Sequence, residues 1–491
     1  MSLSSGINAI DALVYSSWNT SPHTGVTLTF SFPRTLPPNS PEADANDFAP
    51  MPAMQQQGVR AALAEWAAVA NIVFVEVESG GNLVFATNDQ GDQTNAYAYL
   101  PDALTRHTTA VFTNNRFPMD DMLAPGEGGF TVLLHEIGHT LGLKHPGEYH
   151  EAFDEMGGPY LPAAFDTRGY TQMSYNPSAN HAVVGKEGLT PMLLDIQAIQ
   201  YLYGANTGWR SGDDVYAFSP DGAPRTVWDG GGLNTFDFTA CIDGAVVDLR
   251  PGQMSSTCAG FDNVAIAYGA TIHKLVTGIG DDTIRASDAG SMIDAGAGRD
   301  AIQGGSGNDR IAGGDGLDTV VLAGHAAQYK LSASAQGWVV EGEGRDLLDS
   351  VERIRFADTL VALDIDGVAG QVYRLYQAAF DRAPDPTGLG YWIAAGDRGV
   401  SLAVVAQGFI DSPEFASSYG QLDNMAYVTR LYLNVLGRQP DEGGLAWHLD
   451  LLERGVASRN ETLLAFSESG ENQQALAGVI GNGFAYTPFG A

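Results

Sequence analysis

Residues 130–147 read FTVLLHEIGHTLGLKHPG and place His135, Glu136, His139, Gly142 and His145 in the pattern H-E-x-x-H-x-x-G-x-x-H. On a helix, residues four apart are separated by about 40° of rotation, so His135 and His139 share a face and their imidazoles can hold one zinc ion. Glu136 lies about 100° round the helix from His135, near the metal but offset from it. A carboxylate there can hold and deprotonate a water at the zinc without becoming a ligand. A structural zinc site would normally carry four protein ligands and would have no need of Glu136. Three histidines serving only as scaffold are the other alternative, and five fixed positions make that coincidence rare.

The third ligand needs a change of direction. A helix continuing past residue 142 would carry His145 away from the metal. Glycine adopts positive φ cheaply, so Gly142 ends the helix and turns the chain back, and Pro146 keeps the helix from resuming. Leu133, Leu134, Ile137 and Leu141 supply the apolar anchorage of this helix. Before it, Met54–Val69 has helical periodicity, with Val59, Leu63, Trp66 and Ala67 on one side. Ile72–Val77 and Asn82–Ala86 read as strands, and 96–100 (AYAYL) as an edge strand.

Here the sequence resembles the metzincin metallopeptidases. Residues 172–175 read QMSY. Met173 matches that family's methionine beneath the metal, and Tyr175 matches the tyrosine that marks the serralysin branch. The resemblance implies that the Tyr175 hydroxyl is a labile zinc ligand that swings off to stabilise the oxyanion. Thr190–Asn206 looks like the closing helix of the serralysin catalytic domain, and Ala96–Pro101 like its cleft-edge strand. An edge strand of that kind pairs with an extended substrate backbone, which implies polypeptide substrates read with little regard to side chain. His107 and His150 lie outside the motif and are expected to be surface or structural residues.

A second pattern begins at Thr277, where TGIGDDTIR, ASDAGSMID, AGAGRDAIQ, GGSGNDRIA and GGDGLDTVV repeat every nine residues. The sixth positions are Asp282, Ser291, Asp300, Asp309 and Asp318; the eighth are Ile284, Ile293, Ile302, Ile311 and Val320. Glycines let each turn curl with its carbonyls inward, and aspartate adds an anionic oxygen, a ligand set suited to Ca²⁺. The apolar eighth residue enters a short strand. The pattern resembles the RTX parallel β-roll, in which two nonapeptides make one turn. That resemblance implies that Asp282, Asp300 and Asp318 stack along one edge and bind calcium, with Asp309 opposite and Ser291 weakening that side. Asp229, in WDGGGLNTFDF, is a further calcium-ligand candidate. His273 stands where the family often has Glu, which puts the adjoining site in doubt. Residues 318–364 look like the hairpin-rich flank of such repeats.

The last segment holds a duplication with a period of 56. VYRLYQAAFDRAPDPTGLGYW from Val372 matches VTRLYLNVLGRQPDEGGLAWH from Val428. Helix, Pro-Asp-Gly turn and helix make a stacking unit of the interaction or spacer kind. It resembles a bacterial domain of unknown function found beside RTX repeats and surface proteins, which implies a cell-surface or S-layer partner.

Composition sets the outer limits. Of 491 residues, 25 are Lys or Arg and 58 Asp or Glu, a formal charge of −33, which excludes phosphate-neutralising nucleic-acid binders and polybasic membrane anchors. No apolar run is long enough for a transmembrane helix. Cys241 and Cys258 could pair or stay reduced. The opening MSLSSGINAIDALVYSSWN has no basic-then-apolar leader, so no cleavable signal is expected. The RTX resemblance implies export through a type I secretion apparatus from a Gram-negative bacterium, with calcium folding the repeats outside the cell; GNGFAYTPFGA is compatible with a C-terminal export signal.

The expected protein is multidomain: an α/β metzincin catalytic domain over 1–208, a parallel β-roll with flanking strands over 209–365, and an all-α domain over 366–491. The expected activity is that of a secreted, calcium-dependent zinc endopeptidase using Zn²⁺ and Ca²⁺. The alternatives are a calcium-folded surface or adhesion protein with a vestigial protease domain, and a cytoplasmic metallopeptidase.

Overall fold

The computed structural model describes residues 3–490 apart from 39, 93, 102–107, 118, 120–121, 150–156, 179–184, 221, 258–261 and 421. The chain divides into two compact units, Met1–Ser287 and Asp288–Ala491.

The first unit opens with a short helix, Asn8–Asp11 (α1), and a mixed sheet. Its strands are Val26–Ser31 (β1), Ala49–Pro50 (β2), Ile72–Glu76 (β3), Leu83–Asn88 (β4), Ala96–Ala98 (β5) and Thr109–Asn114 (β6). The order is β3-β1-β4-β6-β5, with β2 beside β4. The β1–β3, β1–β4 and β4–β6 pairs are parallel, whereas β5 runs antiparallel to β6 and forms the edge. Every residue of β4 is buried, as expected of a central strand covered on both faces.

Among the described residues three longer helices complete this part of the unit. Ala53–Val69 (α2) buries Val59, Ala62, Leu63 and Trp66. Ala67, expected on that face, is only half-buried, and Ala62 takes its place. Gly128–Thr140 (α3) carries the histidine pair, and Leu193–Tyr203 (α4) is the closing helix. A Cβ on Gly58 would come within 2.9 Å of Leu133, so glycine lets α2 and α3 approach closely. The Trp66 indole then donates to the Leu134 carbonyl of α3 at 3.2 Å.

Past α4 the first unit becomes short parallel strands. Val215–Ala217, Thr235–Asp237 and Lys274–Val276 pair in parallel, and Val246–Asp248 pairs with Thr283–Arg285. The second unit continues the theme. Met292–Asp294 pairs in parallel with Arg310–Ala312, and Ala301–Gln303 with Thr319–Val321, each register being 18 residues. Two nonapeptides therefore make one turn. The eighth positions Ile293, Ile302, Ile311 and Val320 are all buried. Adding a Cβ to Gly314 would put it 1.8 Å from the Gly296 oxygen one turn earlier, which is why these turns require glycine.

Two stacks end in the flank that follows the repeats. Arg345–Asp349 joins Arg310–Ala312 in parallel and then pairs antiparallel within the strands 330–349. Arg353–Arg355 joins Thr319–Val321, and Leu360–Ala362 closes on it antiparallel.

Among the described residues, eight helices lie within 368–480. The 56-residue repeat is realised in matching contacts. Asp385 caps Gly388 and Asp441 caps Gly444; Arg382 pairs with Glu414 at 2.7 Å and Arg438 with Glu471 at 2.8 Å. Leu375, Tyr376, Phe409, Leu431, Tyr432 and Phe466 share one core. The segment is not purely helical: Phe484–Tyr486 forms a strand antiparallel to Leu360–Ala362. Three residues are too few to show a period, which is why this strand is not visible in the sequence pattern. Arg353, almost wholly buried, holds Asp364 and Asp397.

Candidate metal centre

The histidines meet as the spacing predicts. The three Nε2 atoms lie 3.1 Å (His135–His139), 3.1 Å (His139–His145) and 3.2 Å (His135–His145) apart. Two nitrogens each about 2.05 Å from one tetrahedral zinc would stand about 3.3 Å apart, so the triangle fits that ion. The ring protons point elsewhere. His135 Nδ1 donates to the Gln172 carbonyl at 2.8 Å and His139 Nδ1 to the Leu143 carbonyl at 2.8 Å. Their Nε2 atoms therefore present bare lone pairs to one point, an arrangement that repels without a cation and matches the usual outer partners of metal-binding histidine.

Burial reinforces this state. It pushes the His135 imidazolium well below its ordinary range, His139 down to about 4 and His145 down to about 3. Neutral imidazole is the form that binds metal. These are the histidine, aspartate, glutamate or cysteine residues that converge as a metal-sized cluster among the described residues.

The turn that delivers His145 depends on glycine. Gly142 has φ +105°, and a Cβ there would fall 2.1 Å from the Ser16 carbonyl oxygen. The N-terminal segment lies against the turn: Tyr15 N–H donates to Gly142, Lys144 N–H to Leu13, and the Trp18 indole to Thr140. Gly142→Ala is expected to cost more than the roughly 1–2 kcal/mol of a left-handed backbone alone, because the 13–16 segment must also move. Thermal unfolding together with zinc content per chain checks this; both should fall.

Met173 is fully buried beneath the helix, and a Cβ on Gly138 would come 2.6 Å from its sulfur. Glu136 is buried on α3 beside His135. Tyr175 stacks on the His135 ring (5.6 Å between centroids, 27°) and lies against His145 (4.6 Å). The sequence reading missed its second neighbour, Tyr149, stacked on Tyr175 at 4.9 Å and 15°. Tyr149 donates to Asp166, which also accepts from Ser174 at 2.7 Å. No local period links these residues, although Tyr149 lies only four positions after His145. The edge strand β5 is pinned by another unforeseen group: buried Asp44 accepts from Tyr97 at 2.7 Å and Tyr99 at 2.8 Å.

The aspartates of the repeats form a ladder. Asp318 Oδ1 accepts from the Asp300 N–H at 3.0 Å, Asp309 Oδ1 from Ser291 at 2.7 Å, and Asp282 Oδ1 from Ala245 at 2.7 Å. Asp346 and Glu352 carry it on, accepting from Asp309 and Asp318. Their separations of 37 and 34 residues break the period of nine, which hid them in the sequence. Asp229 is buried elsewhere, accepting from Tyr216 at 2.6 Å and Gly231 at 2.9 Å. Cys241 is buried, while Cys258, His107 and His150 lie outside the described residues.

The comparisons with known proteins divide the chain in the same order. The matrixin family matches residues 45–153, the C-terminal region of serralysin peptidases matches 205–380, and a domain of unknown function (DUF4214) matches 406–476. Over 45–153 and 205–380 the chain is thus similar to the serralysin-type metalloproteases. It is 37% identical to the metallopeptidase AprA of Pseudomonas marginalis over 48% of this chain and 55% of that one. Serralysin of Proteus mirabilis is 34% identical over 49% and 55%, and serralysin A of Dickeya chrysanthemi 36% identical over 55% and 60%. The chain thus spans a little over half the length of these curated relatives. The matched stretches cover much of the α/β part with its histidine triad and the short parallel strands, and the match to the domain of unknown function lies within the helical segment. Among the described residues no helix is long and apolar enough to cross a membrane.

Proposed function

We propose that the chain is a secreted zinc endopeptidase whose repeat region is folded by calcium. The observation that carries this reading is the convergence of three unprotonated Nε2 atoms within 3.2 Å, beside a buried glutamate. His135, His139 and His145 would hold zinc, which supplies Lewis-acid chemistry, acidifying a water and polarising the scissile carbonyl. Glu136 takes the attacking water's proton and returns it to the leaving amine. Tyr175, held against His145 and by Tyr149, donates its hydroxyl proton to the developing oxyanion. The edge strand β5 pairs with the extended backbone of a polypeptide substrate, with Asp44 holding its tyrosines in place.

In this reading residues 1–208 perform the catalysis. Residues 209–365 bind calcium through Asp282, Asp300, Asp309, Asp318 and Asp229. Residues 366–491 meet a cell-surface or S-layer partner. Export runs through a type I apparatus. Casein hydrolysis by the purified full chain tests the reading: a zinc chelator should abolish it and added Zn²⁺ restore it. Hydrolysis that survives complete zinc removal would refute it.

A further inference from the structure

Asp195 is fully buried and lies on α4, away from the histidine helix, yet its bonds run toward the metal. Oδ2 accepts from Met192 N–H at 2.8 Å, a cap that α4 needs at its first turn. The same oxygen accepts from Gln172 N–H at 2.7 Å, and Oδ1 accepts from the Thr171 hydroxyl at 2.5 Å. Neither of these last two bonds serves the helix. Both clamp a turn 23 or 24 residues earlier, where Thr171 Oγ1 in turn accepts from Met173 N–H at 3.1 Å. The Gln172 side chain ties the turn from the other side, donating to the Thr190 carbonyl at 2.8 Å.

What the clamped turn presents is the Gln172 carbonyl, the acceptor of the His135 Nδ1 proton. That bond fixes both the tautomer and the plane of His135, the most buried of the three rings. The turn also carries Met173 under the helix and leads to Tyr175. A buried carboxylate is an expensive way to cap a helix, since it must be removed from water at a cost that a serine cap would not incur. Its two extra bonds give the expense a use.

We infer that Asp195 is a positioning residue of the metal centre, holding the 171–173 turn so that the Gln172 carbonyl aims His135 Nε2 at zinc. The inference rests on the histidine triad holding zinc, and the experiment separates the two. The zinc-loaded full chain is compared with Asp195→Asn, Thr171→Val and Gln200→Ala. Gln200→Ala removes an α4 bond to the Val69 carbonyl that has no path to the turn. The readouts are zinc affinity by chelator competition, the visible spectrum of the cobalt-substituted chain, kcat and KM, and thermal unfolding.

In Asp195→Asn an amide group must face either two backbone N–H groups or the Thr171 hydroxyl. Zinc affinity should fall about 10–100-fold, the usual cost of losing an outer partner of a ligand. The cobalt bands should shift, and kcat should fall while KM holds. Thr171→Val should move affinity and spectrum in the same direction by less. Gln200→Ala should lower thermal stability and leave the spectrum unchanged. A folded Asp195→Asn with parental affinity and bands would overturn the inference. Should that variant fail to fold, unchanged metal properties in Thr171→Val would overturn it instead. A parent chain that holds no zinc would defeat the proposed function itself.

Discussion

Glu136→Gln is expected to lower kcat on a polypeptide substrate by about 10²–10⁴-fold, the range for losing a general acid–base group. That corresponds to about 3–5 kcal/mol on the barrier. Glutamine keeps the shape and can still hold a water, but it cannot take a proton. The three imidazoles do not include residue 136, and their outer hydrogen bonds go to the Gln172 and Leu143 carbonyls. Zinc content should therefore stay at the parental level. Hydrolysis rate and metal analysis on the same preparation check both halves. Near-parental turnover with zinc in place would remove Glu136 from its role.

Calcium removal is expected to have the second large effect. Asp282, Asp309, Asp318, Asp346 and Glu352 are all raised above their ordinary ranges, burial being the main cause, with Asp346 pushed up to about 6. Ionised at neutral pH, they oppose folding. A calcium site held at 100 times its dissociation constant adds about 2.7 kcal/mol. Two such sites rival the roughly 5–15 kcal/mol that stabilises a whole domain. Chelation at pH 7 should thus melt the repeat strands, seen as lost β-signal in circular dichroism and new proteolytic cleavage within 209–365. The pH dependence has a definite sign. A carboxyl whose folded pKa exceeds its unfolded value favours folding when protonated and opposes it once pH rises past the folded value. Without calcium, structure should therefore increase as pH falls from 7 to about 5. A calcium-free chain equally folded at pH 7 would contradict the role given to these carboxylates.

The metal site was legible because its parts lie close in sequence. His135 and His139 are fixed by helix geometry, and Gly142 announces the turn that brings His145 back. The repeats were legible for a similar reason: a period of nine with an apolar eighth position leaves one arrangement, and strands 18 residues apart do pair. What stayed hidden is what holds these parts from a distance. Ser16 lies 126 positions before Gly142, and Asp195 reaches back to Thr171, Tyr149 forward to Asp166. Buried polar pairs of this kind carry no periodicity, since each is set by how loops pass one another. The strand 484–486 closing on 360–362 was hidden likewise, by its short length and by the more than 100 residues between partners.

The central claim is that three imidazoles grip one zinc ion. X-ray absorption at the zinc edge, on the full chain purified without added chelator, measures it directly. The predicted result is one zinc per chain with three histidine nitrogens at about 2.0–2.1 Å. A chain that retains no zinc after loading, or a zinc bound by fewer than three histidines, would contradict it.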